Sequence, residues 1–361
     1  MSEFAHYLFL SLSLLTIVAT AVPLAPYGFW WIRIFDFPRL QIIALGMVCL
    51  SGYIYFNGEH STFHLMLEST LVACILYQSW RIFPYTVFSR YVVLRAEKNE
   101  EANQISIVVT NVLMTNRNYA ACLNMLRKAD PDVILAVETD EQWQANLKEL
   151  ESDYPYTVFK PLNNTYGMLL YSRLKLIDPK ILFLLEDDVP SVHTGIELKS
   201  GVQVAFHGLH PKPPAPQEAK SSVPRDAELI LVGFDIKKKP GPTIVAGDLN
   251  DVAWSHTSKL FRLNSGLLDP RIGRGLYSTF NSKYPILRWP LDHVFHTRDF
   301  RLVSLKRLEH IDSDHFPICI KLSYEPEIKN EQEKPTATVA EKEEAIEKLE
   351  KADEMKQNGE I

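Results

Sequence analysis

Five apolar runs in this chain each end in polar residues that a buried strand carries only at cost, and they come in one order. Asn111 closes ISIVVTN, Glu138 closes DVILAVE and His210 lies at the end of VAFHGLHP. Asp248 and Asn250 sit in TIVAGDLND, Asp314 and His315 in SDHFPI, and Asp292, in WPLDHVF, lies between these last two. A carboxylate at a buried strand end is expensive unless it is paired or bound to a metal. Between Gln104 and Ser323 strand-like runs alternate with segments of helical spacing such as YAACLNMLRKA, which points to an α/β domain.

Rigid strands that end in Asn, Glu, His and Asp can hold hard oxygen ligands and proton-transfer groups around one phosphate, as a metal-dependent phosphoester hydrolase requires. In GDLND, Gly247 permits close approach of backbone or substrate. Asp248 can accept a proton from water, and Asn250 can donate to a phosphoryl oxygen. In the pair LDHVF and SDHFPI, His315 reads as a general base, Asp292 as the partner that orients it, and Asp314 as a metal-side carboxylate. His210, before the PKPPAP loop, reads as the phosphate-facing group, whereas His293 and His296 read as structural.

The first 95 residues are of a different kind. Tyr7–Leu24, Leu40–Phe56 and Phe63–Trp80 are three apolar runs near the length that crosses a bilayer, with Trp and Tyr at their ends. No basic n-region precedes the first, so a retained helix is expected rather than a cleaved signal. Glu68, inside the third run, is costly unless it faces a partner or water. Arg33 and Arg39 lie in or beside the first loop, and Arg81, Arg90 and Arg95 follow the third run, while the loop NGEHS carries no Lys or Arg. The positive-inside rule then puts the N-terminus outside and the catalytic domain in the cytoplasm. Residues 1–95 are expected to anchor, 96–325 to catalyse, and the Glu/Lys-rich 326–361 to be disordered or marginally helical.

A net charge of −6 gives no bulk basic surface for nonspecific grip on nucleic acid. The four cysteines have no zinc-like spacing and suggest no disulfide framework.

The ordered set of motifs resembles the endonuclease/exonuclease/phosphatase (DNase I-like) superfamily over about residues 104–323. HPKPP, AGDLND-x-x-W-S and LDHVF resemble its bacterial membrane-anchored members more narrowly, which implies an inner-membrane location. The resemblance implies a four-layer αββα sandwich, here preceded by three transmembrane α-helices. It also implies Mg²⁺ (or Mn²⁺) as cofactor, with Asn111, Glu138 and Asp314 on the metal side and His210, Asp248, Asn250, Asp292 and His315 as catalytic groups. AVETD stands where LQE is common, and the inserts of apurinic endonucleases are not recognisable. The expected partners are the lipid bilayer and a phosphodiester substrate, either nucleic acid or a lipid headgroup. A non-enzymatic membrane scaffold is the competing reading.

Overall fold

The computed structural model describes residues 3–56 and 61–361. The chain divides into two units, Met1–Arg90 with Pro214–Ser222, and Tyr91–Pro213 with Val223–Ile361.

The first unit contains α1 (Glu3–Ala21), α2 (Trp30–Arg33), α3 (Arg39–Phe56) and α4 (Thr62–Ile82). Gly52 lets α3 press on α1, since a Cβ there would strike the Phe9 ring. Ser13, Thr16 and Thr20 donate back to the carbonyls four residues earlier, which satisfies hydroxyls buried within α1. Arg39 donates to Gln78 Oε1 (2.6 Å) and Asp36 Oδ1 (2.5 Å), and Gln78 donates to Thr20 Oγ1 (3.2 Å). The segment 214–222 joins this unit: Trp30 N donates to Lys220 O (3.1 Å) and Ser222 N to Gly28 O (2.8 Å).

Three spans are expected from the sequence, and the structure corrects this. Among the described residues one helix, Glu3–Leu24, is long and apolar enough to cross a membrane. A second qualifies only if Trp30–Asp36 and Arg39–Tyr55, bent by 72°, count as one span. The third run does form a continuous helix, α4, but His64, Glu68, Gln78 and Arg81 dilute its apolar character. Arg33 and Arg39, read as topological charges, are also partners of Asp36. The loop used for orientation falls largely on residues 57–60, outside the described residues.

The second unit begins with β1 (Gln104–Asn111), α5 (Tyr119–Ala129), β2 (Val133–Val137), α6 (Glu141–Asn146), β3 (Tyr156–Lys160) and β4 (Met168–Ser172). It continues with β5 (Leu176–Leu182), β6 (Ser191–Glu197), β7 (Gln203–Leu209), α7 (Val223–Lys238), β8 (Thr243–Asp248) and α8 (His256–Ser265). It closes with β9 (Asp292–His296), β10 (Phe300–Arg307), β11 (Ile318–Tyr324) and α9 (Val339–Gln357). One sheet runs β10-β11-β1-β2-β4-β3, the other β5-β6-β7-β8-β9. Both are mixed: β1 is parallel to β2, and β7 to β8, while their other neighbours are antiparallel.

Alternation along the strands builds the layers. Ile107 and Val109 of β1, with Leu135 of β2, pack into the same cluster as Phe206, Ile244 and Val294 of the other sheet. Val108, Ile134 and Ala136 point the opposite way, against Cys122, Leu123 and Leu126 of α5. Val245 and Phe295 likewise meet Leu229 and Val232 of α7 and Phe261 of α8. The result is helix, sheet, sheet, helix, as the resemblance implies for this part of the chain.

Of the two expectations for the tail, disorder or a marginal helix, the structure has a helix, α9. Thr338 and Glu341 form a reciprocal capping box at the start of α9. Ala345 packs with Ile230 and Leu260, and Ala352 with Ala227, while Leu349 joins both clusters. This stripe is too thin to stand out in a Glu/Lys-rich segment, and it is packing against α7 and α8 that secures the helix.

Candidate active site

The polar motifs converge where β1, β2, β7 and β8 end. Asn111 is the last residue of β1, Glu138 follows β2, His210 follows β7 and Asp248 ends β8. Asp292 opens β9 directly opposite Asp248 in the antiparallel register, and His315 precedes β11.

Asn111 lies between two carboxylates. Its Nδ2 donates to Glu138 Oε1 (2.6 Å) and Asp248 Oδ2 (3.0 Å), while its Oδ1 accepts from Leu113 N (2.9 Å). The amide nitrogen therefore positions the carboxylates, while one lone pair of its oxygen takes the Leu113 N–H. A flipped amide would set an oxygen against two carboxylates, so the nitrogen faces them. Glu138 Oε2 accepts from Met114 N (3.4 Å).

Asp248 is buried, with Oδ2 3.5 Å from His315 Nε2 and 3.8 Å from His210 Nε2. Its Oδ1 accepts from Asn250 N (2.9 Å). Asn250 Nδ2 donates to Pro211 O (3.0 Å), so its side chain braces the His210 loop instead of pointing to a free phosphoryl position. Gly247, at φ +150°, is required here: a Cβ would fall 1.8 Å from Leu209 O on β7. Leu113, Glu138 and Asn250 hold positive φ at 56°, 59° and 51°, and backbone strain of this kind clusters at functional sites.

His315 Nδ1 pairs with Asp292 Oδ2 at 2.8 Å. Burial alone would lower the His315 pKa, but the Asp292 and Asp248 carboxylates overcome it and push the imidazolium up to about 10. Burial raises Asp248, and Asp292 adds to this, while His315 and His210 oppose it. Burial lowers His210 to about 4. Glu138 is pushed up to about 7, first by burial, against the Asn111 amide and His315, with Asp314 and Asp248 adding their repulsion.

A divalent cation suits the Glu138 side. Asp248, Asp292 and His315 are the described group whose ligand atoms all lie within 4.8 Å of one another. Asp292 is already engaged by His315, however, and the imidazolium repels a cation. Asp314 and Asp248 both repel the Glu138 carboxylate, and hard oxygen donors suit Mg²⁺-type ions.

The sequence reading missed the groups that brace this site. Ser313 Oγ donates to Asn111 O (2.8 Å) and accepts from His315 N (3.0 Å), which ties the end of β1 to His315. Arg271 Nη2 donates to His293 Nδ1 (2.6 Å), so His293 Nε2 donates to Asp251 O (2.8 Å). Arg271 Nη1 also reaches Asp292 O (3.2 Å), and Asp269 fixes the guanidinium by two bonds. His293 thus ties β9 to the Asp251 loop. The spacing D-P-R offered a faint signal for Asp269 and Arg271, but nothing in the sequence marked their distant partner.

Paired sheets with a His–Asp pair and clustered carboxylates at their strand ends define a phosphoesterase-type hydrolase. The chain belongs to the Endonuclease/Exonuclease/phosphatase family, whose pattern it matches over residues 108–315. A search of curated proteins finds no match. Among solved structures it is similar to D. rerio TDP2 complexed with single strand DNA product, at 19% identity and TM-score 0.51 over 61% of this chain and 99% of that one. An endonuclease/exonuclease/phosphatase from Beutenbergia cavernae aligns at 16% identity and TM-score 0.50, covering 62% of this chain and 72% of that one. The human Nocturnin catalytic domain with bound sulfate aligns at 17% identity and TM-score 0.50, covering 66% and 97%. Identities this low speak for the fold alone.

Proposed function

We propose that this protein is a membrane-anchored, Mg²⁺- or Mn²⁺-dependent phosphodiesterase of the nuclease type, related to bacterial inner-membrane members of the family. The observation that carries the reading is Asp248, buried between two histidines and bonded to the same amide as Glu138. Residues 96–325 form its catalytic part.

Glu138 and Asp314 would hold the cation, which when bound neutralises phosphate charge. His315, kept cationic by Asp292, donates a proton or a hydrogen bond to the phosphoryl group. In that state it cannot accept one, so Asp248, with its raised pKa, takes the proton of the attacking water. His210 is neutral and contacts the phosphate, while the Asn111 and Asn250 amides fix the two carboxylates and the His210 loop.

Membrane anchoring is supported by the outer faces of the helices in the first unit. Leu8, Leu14, Leu15 and Val18 of α1, Met47 and Val48 of α3, and Leu76 of α4 are all exposed, and so much exposed apolar surface needs a covering phase. The same observation favours a second reading, hydrolysis of a phospholipid or phosphoinositide headgroup at the bilayer surface.

The test uses the full chain in detergent with Mg²⁺, plasmid DNA or phospholipid vesicles, and His315→Ala as control. DNA nicking that disappears in the variant supports the nuclease. Headgroup release without nicking supports the lipid enzyme. Neither activity, or activity that survives in the variant, defeats the catalytic reading and leaves the scaffold.

A further inference from the structure

We propose that Lys348, on the C-terminal helix α9, is a positioning residue for the loop that carries Asp248 and Asn250. This rests on the hydrolase reading above and extends it to a part of the chain outside the matched family region.

Lys348 Nζ donates to Asp226 Oδ2 at 2.8 Å. Asp226 Oδ1 accepts from Arg225 Nη2 (2.9 Å) and Nε (3.1 Å). Arg225 Nη1 in turn donates to Asn250 O at 2.7 Å and lies 3.4 Å from Asp251 Oδ1. Arg225 and Asp226 are 2% and 1% exposed, so the relay runs through the interior. Burial alone would raise Asp226; Lys348 first, then Arg225, overcome it and hold the carboxylate well below the usual range.

The end point of this relay sets it apart from ordinary helix docking. Asn250 sits at φ +51°, its N–H donates to Asp248 and its amide braces Pro211, beside His210. The carbonyl that Arg225 grips therefore belongs to the residue that orients two catalytic groups. Removing Lys348 takes the ammonium from Asp226 and loosens the carboxylate that aims Arg225 at Asn250 O. Displacements of about 1 Å in a catalytic group cost on the order of 10²-fold in rate.

Other contacts keep α9 docked when Lys348 is changed. Glu344 pairs with His256 (2.7 Å), Glu341 with Lys259 (3.2 Å), and Ala345 and Ala352 are buried. Lys348→Met thus interrupts the relay and leaves the helix in place, while His256→Ala removes a docking contact and spares the relay.

The experiment uses the full chain with Mg²⁺ and bis(p-nitrophenyl) phosphate as probe, together with hydrogen–deuterium exchange of the peptide spanning 249–252. Lys348→Met is expected to lower kcat about tenfold or more with KM within about twofold, and to speed exchange in that peptide. Lys348→Arg restores both, and His256→Ala changes neither. Parental kcat in Lys348→Met, or equal exchange in the three variants, overturns the proposal. A parent without activity defeats the hydrolase reading, and the exchange measurement still decides the relay.

Discussion

At the scale of single residues the site depends on one charge balance. His315 stays cationic because Asp292 lies 2.8 Å from Nδ1 and Asp248 lies 3.5 Å from Nε2. Its folded pKa of about 10 lies above the ~6.5 of an unfolded histidine. The folded state thus binds the proton more tightly, and this stabilisation is complete below pH ~6.5 and is lost as pH rises toward about 10. Asp292→Asn keeps a group of the same shape and removes the charge. It is expected to lower kcat by ~10²–10⁴-fold and to move the His315 titration, followed by NMR in metal-free protein, down toward the ordinary range. A titration left near 10 would show that Asp292 does not set the charge of His315. The residues gathered at the candidate site were legible because each breaks an apolar run, and polarity at a strand end is conspicuous. Arg225, Arg271 and Ser313 were not, because arginines and serines occur everywhere and their meaning lies in partners far along the chain.

At the scale of elements, the seam between β7 and β8 brings the catalytic loops together. β7 and β8 run parallel, with Leu209 opposite Gly247. Gly247 lets the backbones close, since any Cβ would meet Leu209 O at 1.8 Å. Gly247→Ala is expected to cost about 3 kcal/mol or more, read as a drop in the urea midpoint at unchanged slope, and to lower activity further than stability alone accounts for. A stable, fully active variant would mean that the seam can shift without harm. The strands of the catalytic unit were readable from period-two apolar alternation, and α5 from its helical spacing. The helix α9 was not, because an alanine face looks the same in water as in a packed helix. α4 was readable as a helix, but its polar residues weaken it as a span. Whether an apolar helix faces lipid or protein depends on what surrounds it, which local composition does not encode.

At the scale of the whole molecule, cation binding is expected to be coupled to global stability. The Glu138 carboxyl is pushed up to about 7, first by burial and further by the repulsion of Asp314 and Asp248. Folding the empty site therefore works against charge repulsion that an ion removes. A ligand bound only by the folded state stabilises it by about 2.7 kcal/mol at a hundredfold excess over Kd. For a unit of this size that is a rise in Tm of roughly 5–10 °C. The comparison should use the full chain, because Gln332 beyond the matched region donates to Phe300 O (2.9 Å) and accepts from Leu94 N (2.7 Å). Cutting at 325 would remove that clasp together with α9. Adding Mg²⁺ to EDTA-treated protein is expected to raise Tm by the stated amount, and chelation should reverse it. Glu138→Gln relieves the repulsion without the ion, so its metal-free Tm should equal or exceed that of the parent, and its response to Mg²⁺ should largely vanish. If Glu138→Gln kept the full rise, the cation would have to sit elsewhere, with the Asp248, Asp292 and His315 group as the remaining place for it.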